Sequence, residues 1–153
     1  MSDRRTFLKK SAFLSALIGA APVNSLFARS NVFKPAGTAT IISTWNHGID
    51  ANTAAWQKLN AGGSVVDAVE AGVMVPEADP NNTSVGLGGF PDRDGRVTLD
   101  ACIMSPDGNC GAGASLEHIE HPISVARKVM EDTPHVLIVG EGALRFAQEK
   151  GFE

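Results

Sequence analysis

The stretch from Arg96 to Leu116 constrains this chain more than any other. Between Arg96 and Met104 the side chains alternate, with Val97, Leu99, Ala101 and Ile103 set against Thr98, Asp100, Cys102 and Met104, which is the two-residue period of a strand. Both sets are largely apolar, so the pattern predicts a strand covered on both faces. Ser105-Pro106-Asp107-Gly108 is a turn signal, and Cys110 to Leu116 returns as the antiparallel partner. A hairpin that hides both faces needs further layers, and the flanking sequence supplies helical patterns between short strands. The expectation is an α/β chain.

Thr38 to Thr44 (TATIIST) is β-branched and predicts a buried first strand. After the break at Asn46-His47-Gly48, Ala51 to Leu59 reads as a helix closed by Ala61-Gly62-Gly63. Ser64, with Asp67 three residues later, opens a second helix in the manner of a capping box. Val65, Ala68, Val69, Gly72 and Val73 form its apolar stripe, which predicts a helix lying flat on a sheet until Pro76 to Asn82 interrupts it. Pro122 starts a helix running through Met130, His135 to Gly140 reads as a strand, and Gly142 to Lys150 as a last helix stopped by Gly151. There are no internal repeats.

The first 28 residues stand apart. Arg4, Arg5, Lys9 and Lys10 form a basic start, Ser11 to Ala21 a short apolar or small-residue run, and Leu26-Phe27-Ala28 a cleavage setting, the three parts of an export signal. The run is too short to span a bilayer comfortably. The arginine pair followed by Thr-Phe-Leu-Lys resembles a twin-arginine signal, so a periplasmic location is expected, with an uncleaved amphipathic tail as the other reading. Residues 29–37 (RSNVFKPAG) read as a linker, which leaves 38–153 as the folded part. Without the leader, nine basic residues face sixteen acidic ones, a net charge of −7 that argues against a nucleic-acid partner. Cys102 and Cys110 flank the hairpin turn; two free thiols are favoured over a disulfide, and their spacing is not that of a metal site. His118, His121 and His135 form no liganding pattern either, so neither a metal nor a cofactor is expected.

Gly86, Gly88 and Gly89 stand directly before the strand. They suit either an ordinary hairpin entry or a loop in which a ligand or catalytic group approaches the main chain closely. Asp92, Arg93, Asp94 and Gly95 read as the polar turn that follows. Asp100, among apolar neighbours, must be hydrogen-bonded if it is buried, and anchoring a neighbouring loop is favoured over catalysis.

Four pieces in order carry a resemblance: Ser43-Thr44-Trp45-Asn46, GGSVVDAVEAGV at 62–73, SVGLGGFPDRDGRVTLDACIM at 84–104, and HPISVARKVMEDTPHVLIVGEGALRFAQEKGF at 121–152. Over residues 39–152 they resemble the glycosylasparaginase (aspartylglucosaminidase) family of the Ntn-hydrolase superfamily, which also holds plant-type asparaginases and isoaspartyl peptidases. The resemblance implies a four-layer αββα sandwich, of which this chain is the N-terminal, α-subunit part. It implies a precursor that cuts itself before a threonine in an Asp-Thr-(Ile/Val)-Gly setting. That threonine attacks the side-chain amide of an asparagine derivative with its own α-amino group as base; an α-amino pKa of about 7.7–8 suits the role. Asp132-Thr133 is followed by Pro134 at a helix end and is not that site, so the nucleophile is expected beyond Glu153 and the chain alone should be silent.

The implied partners are the C-terminal β-subunit of the same precursor, in a heterodimer or heterotetramer, and a small glycosylated or amidated aspartate. N4-(β-N-acetylglucosaminyl)-L-asparagine is the expected substrate, and an isoaspartyl peptidase or L-asparaginase the alternative. A non-catalytic binding domain is the reading that applies if the chain truly ends at 153. The resemblance places Trp45 in the substrate pocket, where a packed aromatic is the plainer reading. It places Ser84 beside the nucleophile, where a hydroxyl can orient it, against a simple turn residue. Gly86, Gly88 and Gly89 would bend the loop beneath the reaction centre and hold Ser84. His47 replaces a commonly aromatic or apolar position and would touch either substrate or solvent. Arginine recognition of the substrate carboxylate would come from outside this chain.

Overall fold

The computed structural model describes residues 39–153, so the expected leader and linker lie outside the described residues. Helices α1 (Gly48–Asn60) and α2 (Val65–Ala78) form a hairpin. Ser64 caps α2: its hydroxyl accepts from Asp67 N–H at 3.1 Å, and the Asp67 carboxylate accepts from Ser64 N–H at 2.8 Å. These two bonds form the reciprocal box read from the sequence, and the Asp67 bond satisfies one of the donors that a helix start leaves open. They also hold the Asp67 carboxyl down at about 2, the Ser64 N–H first, then the Ser64 hydroxyl and Arg127.

Small residues let the two helices close on each other, Gly72 lying against Ala51 and Ala55. That contact turns the buried stripe of α2 to Ala68, Gly72 and Pro76, and leaves Val65 and Val69 exposed, correcting the stripe expected from spacing. Helix α2 therefore packs along α1 rather than flat on a sheet. Its Val66, Val73 and Met74 reach the cluster of Ile103, Ile123 and Ala126. Nor does Pro76 end the helix, which runs on to Ala78. In the last turn the missing N–H costs one backbone bond, and the ring is buried.

Strands β1 (Leu99–Met104) and β2 (Cys110–Leu116) pair antiparallel, Met104 opposite Cys110 and Ala101 opposite Gly113. The expected turn closes them, with Ser105 N–H donating to Asn109 O at 2.8 Å and Gly108 N–H to Ser105 O at 3.0 Å. Helix α3 (Pro122–Asp132) crosses to β3 (Leu137–Val139), which lies parallel to β2 and gives the order β1-β2-β3. Helix α4 (Gly140–Glu149) completes a second core of Leu116, Ile119, Val125, Ala143 and Ala147. Helix α3 comes so close to β2 that main-chain atoms of Ala126 and Met130 fill the space a Cβ on Gly111 would need. Arg127 ties α3 to α2, meeting Glu70 at 2.6 Å, Asp67 at 2.7 Å and, on its own helix, Glu131 at 2.6 Å.

The expected first strand is corrected as well. Residues 39–44, the described part of the expected first strand, are irregular and pair with no strand among the described residues; Ile42 is 87% exposed. β-Branched residues favour a strand only where a neighbour completes the ladder. The sheet, moreover, is covered on one face alone within the described residues. Asp100, Cys102 and Met104 of β1 and Leu137 and Val139 of β3 stand on the exposed side. Cys102 and Cys110 are free thiols, offset by two positions in the register.

Candidate active site around the glycine turn

Helix α2 ends in Pro76-Glu77-Ala78, and its geometry sets the loop that follows. The carbonyl of Pro76 would normally take the N–H four residues on, but that residue is Pro80 and has none. Asn82 supplies the missing donor, its Nδ2 reaching Pro76 O at 3.3 Å. The same side chain accepts twice from Ser84 through Oδ1, from the backbone N–H at 3.1 Å and from the hydroxyl at 2.7 Å. The Ser84 hydroxyl has thus given its proton to Asn82 and offers only lone pairs to whatever docks beside it.

Gly86–Gly88 forms one 3₁₀ turn. Gly86, at φ +66°, lies on the main chain of Glu77, where any Cβ would collide. Gly89 N–H donates to Gly86 O at 3.0 Å and Phe90 N–H to Thr83 O at 3.3 Å, closing the loop. The glycines thereby bring backbone against α2. In the polar turn, Asp92 Oδ1 accepts from Asp94 N–H at 2.8 Å and Arg96 N–H at 2.9 Å, and the Arg96 bond above all holds its carboxyl below the usual range.

Trp45 sits in the bend before α1, 80% exposed and at φ +67°, which is uncommon for a bulky residue. Among the described residues no hydrogen bond joins it to Ser84. His47 is half-buried at the start of α1, and its side chain caps nothing. Asp100 is exposed rather than buried, and it braces the neighbouring strand rather than a loop: Oδ1 accepts from Ser115 N–H at 2.7 Å where a bulge in β2 sets Ala114 and Ser115 opposite it. Thr133 uses its hydroxyl to stop α3, donating to Val129 O at 2.8 Å and accepting from His135 N–H at 3.0 Å. A cavity of about 560 Å³ adjoins the glycine turn, lined in part by Leu87, Arg96, Leu99 and His118. Neither Ser84 nor Trp45 lines it. Among the described residues, no three His, Cys, Asp or Glu side chains gather to hold a metal.

Glu77 escaped the sequence reading because it fell in a stretch taken as a break. It is 3% exposed. Its Oε1 accepts from Ile123 N–H at 3.1 Å, serving the start of α3, where His121 gives no side-chain cap. Its Oε2 faces His121 Nδ1 at 3.4 Å, and neither atom has a hydrogen-bond partner. Burial pushes the carboxyl up to about 8, opposed by the Ile123 N–H and reinforced by Glu70. The available signal was a carboxylate at the end of an apolar helix with no basic residue three or four positions away.

A family model described as asparaginase matches residues 40–153. The chain belongs to the asparaginase family. It is 50% identical over 153 residues to the N(4)-(beta-N-acetylglucosaminyl)-L-asparaginase of Elizabethkingia miricola, an overlap of 99% of this chain and 45% of that protein. The mouse protein of the same name is 45% identical over 115 residues, 73% of this chain and 32% of the mouse one. The isoaspartyl peptidase of Salmonella typhimurium is 48% identical over 96 residues, 61% of this chain and 30% of the peptidase. The chain thus spans less than half the length of these relatives. The part matched by the asparaginase family begins at Thr40 and takes in the Trp45 bend, Ser84 and the glycine turn.

Proposed function

We propose that this chain is the N-terminal, α-subunit portion of an exported amidohydrolase of the glycosylasparaginase type. The observation that carries the reading is the 50% identity across 99% of the chain to a protein named for N(4)-(beta-N-acetylglucosaminyl)-L-asparagine. In this reading residues 1–28 are a twin-arginine-type leader to the periplasm, 29–37 a linker and 38–153 the first part of the hydrolase. The bare sheet face, with Met104, Leu137 and Val139 exposed, supports a four-layer αββα arrangement in which a second sheet from the β-subunit covers it.

A threonine freed by self-cleavage beyond Glu153 is the nucleophile. Its oxygen adds to the side-chain amide carbon, its hydroxyl proton passes through its α-amino group to the departing amine, and water then hydrolyses the ester to aspartate. Ser84 suits the place beside it. Having donated to Asn82 at 2.7 Å, it can accept from the threonine and orient it. Trp45 offers an exposed ring to the substrate. The second reading, an isoaspartyl peptidase, rests on the shorter match to the Salmonella protein.

The complete gene product, offered N4-(β-N-acetylglucosaminyl)-L-asparagine and an isoaspartyl dipeptide, tests this. Release of the 1-amino sugar, read as N-acetylglucosamine once water displaces its ammonia, by a protein with a subunit beginning in threonine is the expected result. Hydrolysis of the dipeptide alone moves the assignment to the peptidase, and an unprocessed, inert product overturns both.

A further inference from the structure

The buried Glu77 faces the half-buried His121 in a contact for which the proposed reaction has no use. Glu77 is fastened on one side only: Oε1 takes the Ile123 N–H, while Oε2 and His121 Nδ1 look at each other across 3.4 Å with no other partner. Two bare lone pairs in a site closed to water would repel, and each would forfeit a hydrogen bond. A single proton removes both deficits. Either the carboxylic acid donates to Nδ1, or Nδ1–H donates to the carboxylate.

The same residue is the footing of the Ser84 loop. The carbonyl just before Glu77, that of Pro76, holds Asn82, which holds Ser84; the main chain of Glu77 is the surface on which Gly86 lies. We propose that the buried Glu77 carboxyl keeps its proton between itself and His121 Nδ1 and that this contact is a pH-sensitive positioning element for the Ser84 loop, a role that rests on the reading of Ser84 given above. The charged groups around the pair are few. Glu70 lies two turns back on α2 and is engaged by Arg127 of α3 at 2.6 Å, and Glu120 stands 3.9 Å from His121 Nε2. The glycine turn brings none. When a proton leaves, the pair carries a net negative charge in a buried place, and the end of α2 is where the structure must yield. The upward displacement of the Glu77 carboxyl to about 8 places that event within reach of neutral pH.

The test uses the complete gene product labelled with ¹⁵N-isoleucine and ¹⁵N-serine, followed from roughly pH 6 to roughly pH 10, the range that brackets a carboxyl so displaced. The Ile123 and Ser84 amide signals should move together with a midpoint of about 8. Glu77→Gln keeps an acceptor for Ile123 and offers an N–H to His121 Nδ1 without titrating, so both signals should stay at their low-pH positions. Glu77→Ala should displace both at every pH. A stationary Ile123 signal in the wild type, or an E77Q protein that titrates like it, overturns the shared proton. An Ser84 signal that stays fixed while Ile123 titrates overturns the positioning role. In the hydrolase assay the ratio of wild-type kcat to that of E77Q should fall over the same interval, the α-amino base titrating alike in both, with KM unchanged. A protein that shows the coupled titration yet hydrolyses neither substrate upholds the proton-sharing pair and defeats the hydrolase reading instead.

Discussion

Replacing Gly111 by alanine should be the most damaging single-methyl change in the sheet. A Cβ there meets Ala126 O and Met130 N, both main-chain atoms of α3, and lies 2.8 Å from Met130 Cβ. No side chain can rotate out of the way, so the helix must lift by roughly 1 Å, enough to forfeit a good part of its dispersion contact with β1 and β2. The residues that would lose contact are Ile103, Ile123, Val125, Ala126 and Val129, none more than 4% exposed. Overpacking of this kind costs about 1–3 kcal/mol, and an immovable backbone neighbour argues for the upper end, about 3. For a product of the relatives' length, more than twice that of this chain, the conversion is roughly 1–2 °C per kcal/mol, so Gly111→Ala should lower the thermal midpoint by roughly 3–6 °C. Gly113, two residues along the same strand, is the control. Nothing lies within 4 Å of its Cβ position, so Gly113→Ala should be neutral or gain up to about 1 kcal/mol. Calorimetry on the complete gene product measures both. A G111A protein that melts with the wild type, or a G113A protein equally damaged, refutes the close approach of α3 to β2.

Four further outcomes can be measured. Arg127→Met should destabilise by about 1–2 kcal/mol at low ionic strength, because it leaves Asp67, Glu70 and Glu131 crowded without their cation, and urea titrations should show the deficit shrinking as salt is raised. Glu77 binds its proton more tightly folded than unfolded, so its stabilising contribution is complete below about 4.5 and is lost as pH rises through about 8. Within that window the wild type should lose stability relative to E77Q at about 1.4 kcal/mol per pH unit by chemical denaturation, whereas Asp67, held at about 2, titrates below it; parallel curves would contradict the burial argument. Trp45→Ala should change stability by less than about 0.5 kcal/mol because the ring is exposed, yet raise KM in the hydrolase assay. Ser84→Ala should instead lower kcat by roughly 10²-fold through a misplaced nucleophile, and unchanged constants in either variant remove that residue from the site.

Features carried by near neighbours were legible in the sequence. The Ser64–Asp67 box, the Ser105–Asn109 turn, the Asp92 turn and the helix stop at Thr133 each close through hydrogen bonds spanning five residues or fewer, so residue type and spacing suffice to specify them. The ordered motifs likewise carried the family. What needed the tertiary structure is everything set by partners distant in the chain. Glu77 meets Ile123 across 46 positions, and only that meeting turns a residue in an apparent helix break into a buried cap for another helix. Pro76 stays inside α2 because burial outweighs one lost backbone bond, a balance that local propensity does not contain. Within the described residues, 39–44 have strand-forming side chains but no ladder to join, and the outer side of β1 has no layer above it. Propensity and period say what a segment can become; whether it does depends on the surface that meets it.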